Sequence, residues 1–226
     1  ENFNGSNWIA TSGSPYNSIF DDCWAQSPSD QGGGNNFKWV VNQGSTISSS
    51  TGPSSGNGGS GNYIYTEGSN GSTGNKAFMK TPTVDFSGIT NPTLSFYYHM
   101  YGSNTADLHV LFISDTIIDT LATISGQQHN SSAAAWTELN IDLSAHAATP
   151  GEIQFIGVRG NGYACDMAID DIKIDAAGCY DPTNVASSFV STYSAGITWN
   201  GFGTSQEYYV EYGFQGFIQG TGTGIM

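Results

Sequence analysis

The sequence predicts an all-β protein folded as a sandwich or jelly roll, and three observations predict it. Gly, Ser, Thr and Asn are abundant, charged residues are only 11% and aromatics reach 13%, which suits short strands, many turns and an aromatic core. Apolar and polar residues alternate with period two in several blocks separated by polar turns. No block carries the 3.6-residue period of a helix of useful length.

Taken in order, Glu1 to Pro28 is irregular, with Trp8, Phe20 and Trp24 as the expected anchors of a wrapping arm. Gly32 to Ser72 is rich in Gly, Ser and Asn. Phe37, Trp39, Val40, Val41 and the run Tyr63-Ile64-Tyr65 interrupt it, which predicts ordered loops between short strands. In Thr93–Tyr101, Leu94, Phe96, Tyr98 and Met100 share one face, while Ser95, Tyr97, His99 and Tyr101 share the other. Both faces are largely apolar or aromatic, so this strand is expected inside a sheet. Asp107–Ser114 is a further strand. In Trp136–Leu143, Leu139, Ile141 and Leu143 alternate with Glu138, Asn140 and Asp142, the pattern of a half-exposed strand. Gly151–Gly160 and Asp166–Ile174 complete the series. The composition changes at the turn-forming pair Asp181-Pro182, and a new alternating block runs through Ile197-Thr198-Trp199 and Tyr208–Tyr212. The expected boundary near residue 180 divides a domain over 1–179 from a partial one over 180–226. The latter has only ~45 residues, too few for a β-sandwich to bury a core.

The net charge of −14 sets 19 acidic residues against five basic ones, Lys38, Lys76, Lys80, Arg159 and Lys173. Nucleic acid and anionic membranes both require a Lys/Arg footprint that is missing, so neither is an expected partner. The same imbalance leaves carboxylates short of cationic side chains, and a divalent cation is the usual substitute. Cys23, Cys165 and Cys179 allow one internal disulfide with a thiol left over, and match no CxxC metal or redox pattern. No apolar run approaches the ~20 residues that span a bilayer, and no signal peptide opens the chain, which reads as a mature or excised piece.

Four blocks together resemble a MAM domain: Thr51-Gly52-Pro53 followed by Asn62-Tyr63-Ile64-Tyr65-Thr66-Glu67; Asn91-Pro92-Thr93-Leu94-Ser95-Phe96-Tyr97-Tyr98-His99-Met100-Tyr101-Gly102; Gly157-Val158-Arg159-Gly160; and Met167-Ala168-Ile169-Asp170-Asp171-Ile172. The second and fourth are similar to the bacterial branch of that family, found in large surface proteins and secreted enzymes. The block after Asp181 resembles the opening strands of a fibronectin type III domain, with Trp199 as its core tryptophan. The resemblance implies a two-sheet antiparallel jelly roll, a secreted or cell-surface location, and adhesion to a protein or glycan ligand without catalysis. Bacterial members often carry an Asp–His pair where this chain has Gly56-Asn57, and an Asp-rich segment where it has Asn35-Asn36-Phe37-Lys38-Trp39. If those acids bind a cation in relatives, the site here is weaker, relocated or absent.

Among candidate sites, a regular strand puts Ala168, Asp170, Ile172 and Ile174 on one face and Asp171 on the other. If that face is the core, Asp170 is a nearly buried carboxylate that needs backbone N–H groups, Arg159 or a metal ion. Calcium is the expected cofactor, with Asp170 and Asp171 as its candidate ligands and Glu1, Asp21, Asp22 and Asp30 as further ones from the arm; a hydrogen-bonded structural Asp is the alternative. Arg159, the only arginine, is expected to hold a carboxylate bidentately. Trp24, Trp39, Tyr63, Tyr65, Tyr97 and Tyr101 offer either a sugar-stacking platform or core. The cysteines suggest a Cys23–Cys165 bridge. His99, His109, His129 and His146 have no metal spacing. No GxSxG elbow, phosphate loop or dinucleotide fingerprint occurs. The carboxylate pairs Glu138/Asp142 and Asp170/Asp171 do not make an acid and nucleophile on one strand face. The leading expectation is a calcium-stabilised adhesion module. Its rivals are a carbohydrate-binding module that carries an enzyme to a polysaccharide, a hydrolase, and a spacer without ligand.

Overall fold

The computed structural model describes residues 1–10, 18–27, 37–89, 91–176, 183–191, 194–200, 210–212 and 223–225. The chain forms two compact units, Glu1–Ala176 and Ala177–Met226.

Strands of the first unit are β1 (Ala25–Ser27), β2 (Trp39–Gln43), β3 (Asn62–Thr66), β4 (Lys76–Lys80), β5 (Pro92–His99), β6 (Asp107–Ile113), β7 (Ile118–Ser125), β8 (Thr137–Asp142), β9 (Glu152–Val158) and β10 (Met167–Ala176). They build two five-stranded antiparallel sheets: a back sheet in the order β1-β4-β9-β6-β7 and a front sheet in the order β2-β3-β10-β5-β8. This is the two-sheet jelly-roll sandwich expected, and its only helical turns among the described residues are short 3-10 pieces at Asn57–Gly59 and Ser144–His146.

The expected strands at β5, β6, β8, β9 and β10 form, and β5 lies inside its sheet between β10 and β8. Its Leu94 and Phe96 enter the core, where Phe96 meets Phe155 of β9 edge-to-face at 5.2 Å. Trp39 links the sheets by donating its indole N–H to the Ala77 carbonyl of β4 at 3.1 Å. The arm docks through its aromatics. Trp8 packs on Phe3 at 4.8 Å, on Phe20 at 5.1 Å and on Trp24 at 5.5 Å, and Phe3 and Trp8 are buried.

In the second unit, β11 (Thr183–Val190) pairs with β12 (Ala195–Asn200), and β13 (Val210–Tyr212) with β14 (Thr223–Ile225). Trp199 is half-buried, while Val185, Phe189, Val190 and Ile197 are exposed.

Candidate functional site on the outer face of the front sheet

Alternation sends Ile64, Met167 and Ile169 into the core and their neighbours outward. Tyr65 and His99 are both register partners of Ala168, and Val40 of Tyr65, so these residues line the outer face. That face is closed by the chain itself. Val40, Tyr63, Tyr65 and Ala168 form a second small core capped by Trp136, whose ring packs on Tyr63 at 5.7 Å and on His99 at 5.6 Å. The cover consists of two loops tied to each other and to the sheet. Trp136 Nε1 donates to the Ser55 carbonyl at 3.2 Å, Ser54 N–H to the Ser132 carbonyl at 2.8 Å, and Gly52 N–H to the Tyr101 carbonyl at 2.8 Å. At Gly52 the backbone has φ +63 and a Cβ would stand 2.6 Å from Thr46 Cγ2, so the loop's close approach requires glycine.

A sugar platform of Trp39, Tyr63 and Tyr65 is therefore corrected. All three are 0% exposed, because Trp39 faces the core and the tyrosines lie under the loops. Tyr97 and Tyr101 remain half-buried, and Trp24 packs against the core. His99 and His129 stack at 4.3 Å beneath the cover. His129 Nδ1 accepts the Met100 N–H at 3.0 Å, which places its proton on Nε2 beside Thr137 Oγ1. Burial, reinforced by the neighbouring His129, pushes His99 down to about 4, and burial also lowers His129.

At one end of this face, β10 bulges between Asp170 and Lys173, where Asp171 takes a left-handed φ of 50. At the bulge the Ile172 N–H donates to the Glu1 carbonyl at 2.8 Å, and the Glu1 amino group donates back to the Ile172 carbonyl. The bulge splits the face expected to be shared. Ala168 and Asp170 lie outward under the loops, whereas Ile172 and Ile174 turn into the core. It also brings together two acids expected to point apart. Asn57 donates its backbone N–H to Asp170 Oδ2 and its side-chain Nδ2 to Asp171 Oδ2, each at 2.9 Å. Asp170 is 3% exposed, and burial, more than the Asp171 charge, pushes its carboxyl up to about 7 against the pull of the Asn57 N–H. A Cβ on Gly56 would meet the Ser60 carbonyl oxygen at 2.8 Å and Asp170 Oδ2 and the Gly61 carbonyl oxygen at 3.2 Å each, so three oxygens gather around one point.

Of the arm's acids, only Glu1 is seen at this place, where its Oε1 accepts the Phe3 N–H at 2.8 Å. Asp21 is spent in a turn, accepting from Asn7 Nδ2 at 2.8 Å and Cys23 N–H at 2.9 Å, and those bonds, Asn7 first, lower its pKa. Asp22 is exposed, and Asp30 lies outside the described residues. No three Asp, Glu, His or Cys side chains among the described residues converge as a metal cage. Among the described residues, Arg159 grips no carboxylate. Its Nε donates to the Asn70 carbonyl at 2.8 Å and its Nη1 to the Gly160 carbonyl at 2.9 Å, so it organises a turn. The expected Cys23–Cys165 bridge is also corrected: both are free thiols, Cys23 exposed in the turn before β1 of the back sheet and Cys165 buried just before β10 of the front sheet. Cys179 lies outside the described residues.

Glu67 and Asp166, which sequence reasoning missed, are both 0% exposed on the same outer face. Period-two alternation was the available signal, since Tyr63, Tyr65 and Glu67 share a face, as do Asp166, Ala168 and Asp170.

A family model described as "MAM domain, meprin/A5/mu" matches residues 21–180. The chain belongs to the MAM family. The MAM domain is 33% identical to neuropilin-1a of Danio rerio over 171 residues, covering 70% of this chain and 18% of that protein. It is 35% identical over 99 residues to MAM domain-containing glycosylphosphatidylinositol anchor protein 1 of Rattus norvegicus, covering 41% of this chain and 10% of that protein. The chain thus spans less than a fifth of either curated relative. Among solved structures, the K1 cleaved adhesin domain of Lys-gingipain from Porphyromonas gingivalis superposes with a TM-score of 0.52 at 14% identity, covering 79% of this chain and 97% of that one, a likeness of fold. No helix among the described residues is long and apolar enough to cross a membrane.

Proposed function

We propose that this MAM domain is a non-catalytic recognition module of a larger secreted or cell-surface protein, and that it engages a protein ligand through its loops and edges. The observation that carries this reading is the closed outer face: Tyr63 and Tyr65, the aromatic pair that could stack on a sugar there, are covered by the chain's own loops. Recognition then falls to exposed loop surface, where binding residues are commonly placed on a rigid β scaffold. Location outside the cell is supported by the rat relative, by name a glycosylphosphatidylinositol anchor protein, since such anchors hold proteins on the cell surface. The paired strands β11 and β12 suit the opening strands of a fibronectin type III domain, with the exposed Val185, Phe189, Val190 and Ile197 suiting a sheet meant to be covered.

The reading includes a calcium ion beside Asp170. Oxygen donors suit a hard cation, and the Asp170 carboxylate with the Ser60 and Gly61 carbonyls supplies them; a bound ion would offset the cost of the buried charge. Asn57 donates amide hydrogens to both acids, so the affinity expected is low.

Two measurements test this. The labelled chain should bind cells or matrix in a manner lost after protease treatment of the target and kept after glycosidase treatment; saturable binding on a glycan panel, or turnover of a polysaccharide, would replace the reading. Calcium at ~100 times its dissociation constant should add about 2.7 kcal/mol, a rise of several degrees in the unfolding midpoint. Asp170→Asn should abolish that rise, and an unchanged midpoint with no metal in the purified chain removes calcium from the proposal.

A further inference from the structure

Thr66 and Met167 are the last antiparallel register partners of β3 and β10, so Glu67 and Asp166, the next residue beyond each strand, are carried close to each other, near enough for the charge of Glu67 to act on Asp166. Like charges brought close at the ends of neighbouring strands repel. Both residues are 0% exposed, and none of the ion pairs among the described residues reaches either of them. Their hydrogen bonds are unequal. Glu67 accepts three, from the Ser69 N–H at 2.8 Å and Ser48 Oγ at 3.1 Å on Oε1, and from the Tyr65 hydroxyl at 3.1 Å on Oε2. Asp166 accepts the Gly68 N–H at 2.8 Å on Oδ1, with the Thr46 side chain beside it, while its Oδ2 is buried without a partner among the described residues.

Three donors suit an ionised Glu67, and a bare buried oxygen does not suit an ionised Asp166. We propose that the two carboxyl groups hold a single proton between them, carried on Asp166, and that this acid pair latches the Ser/Thr-rich loop of residues 44–55 onto the sheet. The loop reaches both members: Ser48 donates to Glu67, Thr51 Oγ1 accepts the Asp166 N–H at 2.9 Å, and Thr46 and Asp166 flank Gly52. A second full charge at Asp166 would repel Glu67 where the loop is fastened.

Among the described residues, the ionisable groups around the pair do not supply a counter-charge. From β3 come Tyr63 and Tyr65, from two residues before β10 comes Cys165, and burial raises the pKa of all three. His99, from β5, is held neutral by burial and His129. Arg159 lies near Cys165 but spends its guanidinium on the Asn70 and Gly160 carbonyls. The loop itself contributes Ser and Thr hydroxyls. Burial first, then the charge of Glu67, raises Asp166 well above the usual carboxylate range, against the pull of the Gly68 N–H and Thr46. The sign follows. The folded chain keeps a proton that the unfolded chain releases above ~3.9, so stability falls as pH rises until Asp166 ionises in the fold.

The test is a carboxyl-carbon NMR titration of the full chain with 13C-labelled Asp and Glu, from pH 5 to 9 in chelator, with Asp166 assigned by through-bond correlation. The Asp166 carbon should show the protonated shift at pH 7 and move only above it. Asp166→Asn should fold and unfold with a pH dependence weaker by up to one proton, a factor of 10 in the unfolding equilibrium per pH unit, between pH 7 and Asp166's own titration. An Asp166 carbon already ionised at pH 7 overturns the proposal. If the midpoint then rises with added sodium or calcium, a cation holds the pair; if it does not, the fold tolerates both charges. Because the wild-type spectrum decides, a variant that fails to fold does not leave the question open.

Discussion

At the scale of single residues, burial on the outer face pushes His99 and Asp170 toward their neutral forms. His99 is 0% exposed and held down to about 4, whereas an unfolded histidine titrates near 6.5. Below ~6.5 the unfolded chain takes up a proton that the folded one refuses, so stability is lost progressively between ~6.5 and about 4. Asp170, raised to about 7, acts in the opposite sense: the folded chain keeps a proton the unfolded chain has released, so its contribution falls as pH climbs from ~4 to about 7. The two slopes partly cancel in the wild type, and variants separate them. His99→Phe keeps a ring against His129 and Trp136 and should flatten the acid limb of a thermal-midpoint profile in chelator; an unchanged limb would mean that His99 is not kept neutral. Gly56→Ala places a methyl among three oxygens and should cost about 1–3 kcal/mol by denaturant unfolding, as other overpacked sites do.

At the scale of elements, the cover over the front sheet depends on one side chain. Trp136 packs on Tyr63 and His99 and bonds Ser55, so it fastens the 128–136 loop to the 44–57 loop. Trp136→Ala should cost ~3–5 kcal/mol and, more specifically, speed amide exchange at Gly52 and Ser54 while leaving β6 and β9 protected. Uniform acceleration would show instead that the cover and sandwich open together. Alternation made β5, β6, β8, β9 and β10 legible in the sequence. β4 and β7 were not: β4 is five residues framed by Lys76 and Lys80, and β7 is a largely exposed edge strand whose Ile118 is 74% exposed. The bulge in β10 was invisible for a different reason. It pairs with Glu1, 171 residues away, and a one-residue shift in register reverses every side chain beyond it. Asp170 was therefore legible as a nearly buried acid, but not its placement under the 44–57 loop or its joining with Asp171 at Asn57.

At the scale of the whole molecule, the charge of −14 dominates, and the described ion pairs offset little of it. Lys80–Glu152 and Lys173–Asp175 lie at the surface, and His146–Asp119 counts only when the histidine is protonated. Exposed pairs of this kind contribute ~0–1 kcal/mol, whereas a large uniform charge opposes compaction. Raising sodium chloride from ~10 to ~150 mM shortens the screening length from ~30 to ~8 Å, so repulsion across the sandwich should fade and the unfolding midpoint should rise. The rise should be the same for chloride salts of different monovalent cations, because screening depends on ionic strength and not on the ion. Calcium at matched ionic strength should add a further increment that Asp170→Asn removes, which separates a specific site from screening. A midpoint that falls with salt would mean that attractive pairs outweigh repulsion, and the surface acids would then have to be read as partners in a network and not as a field that keeps the module soluble and apart from anionic surfaces.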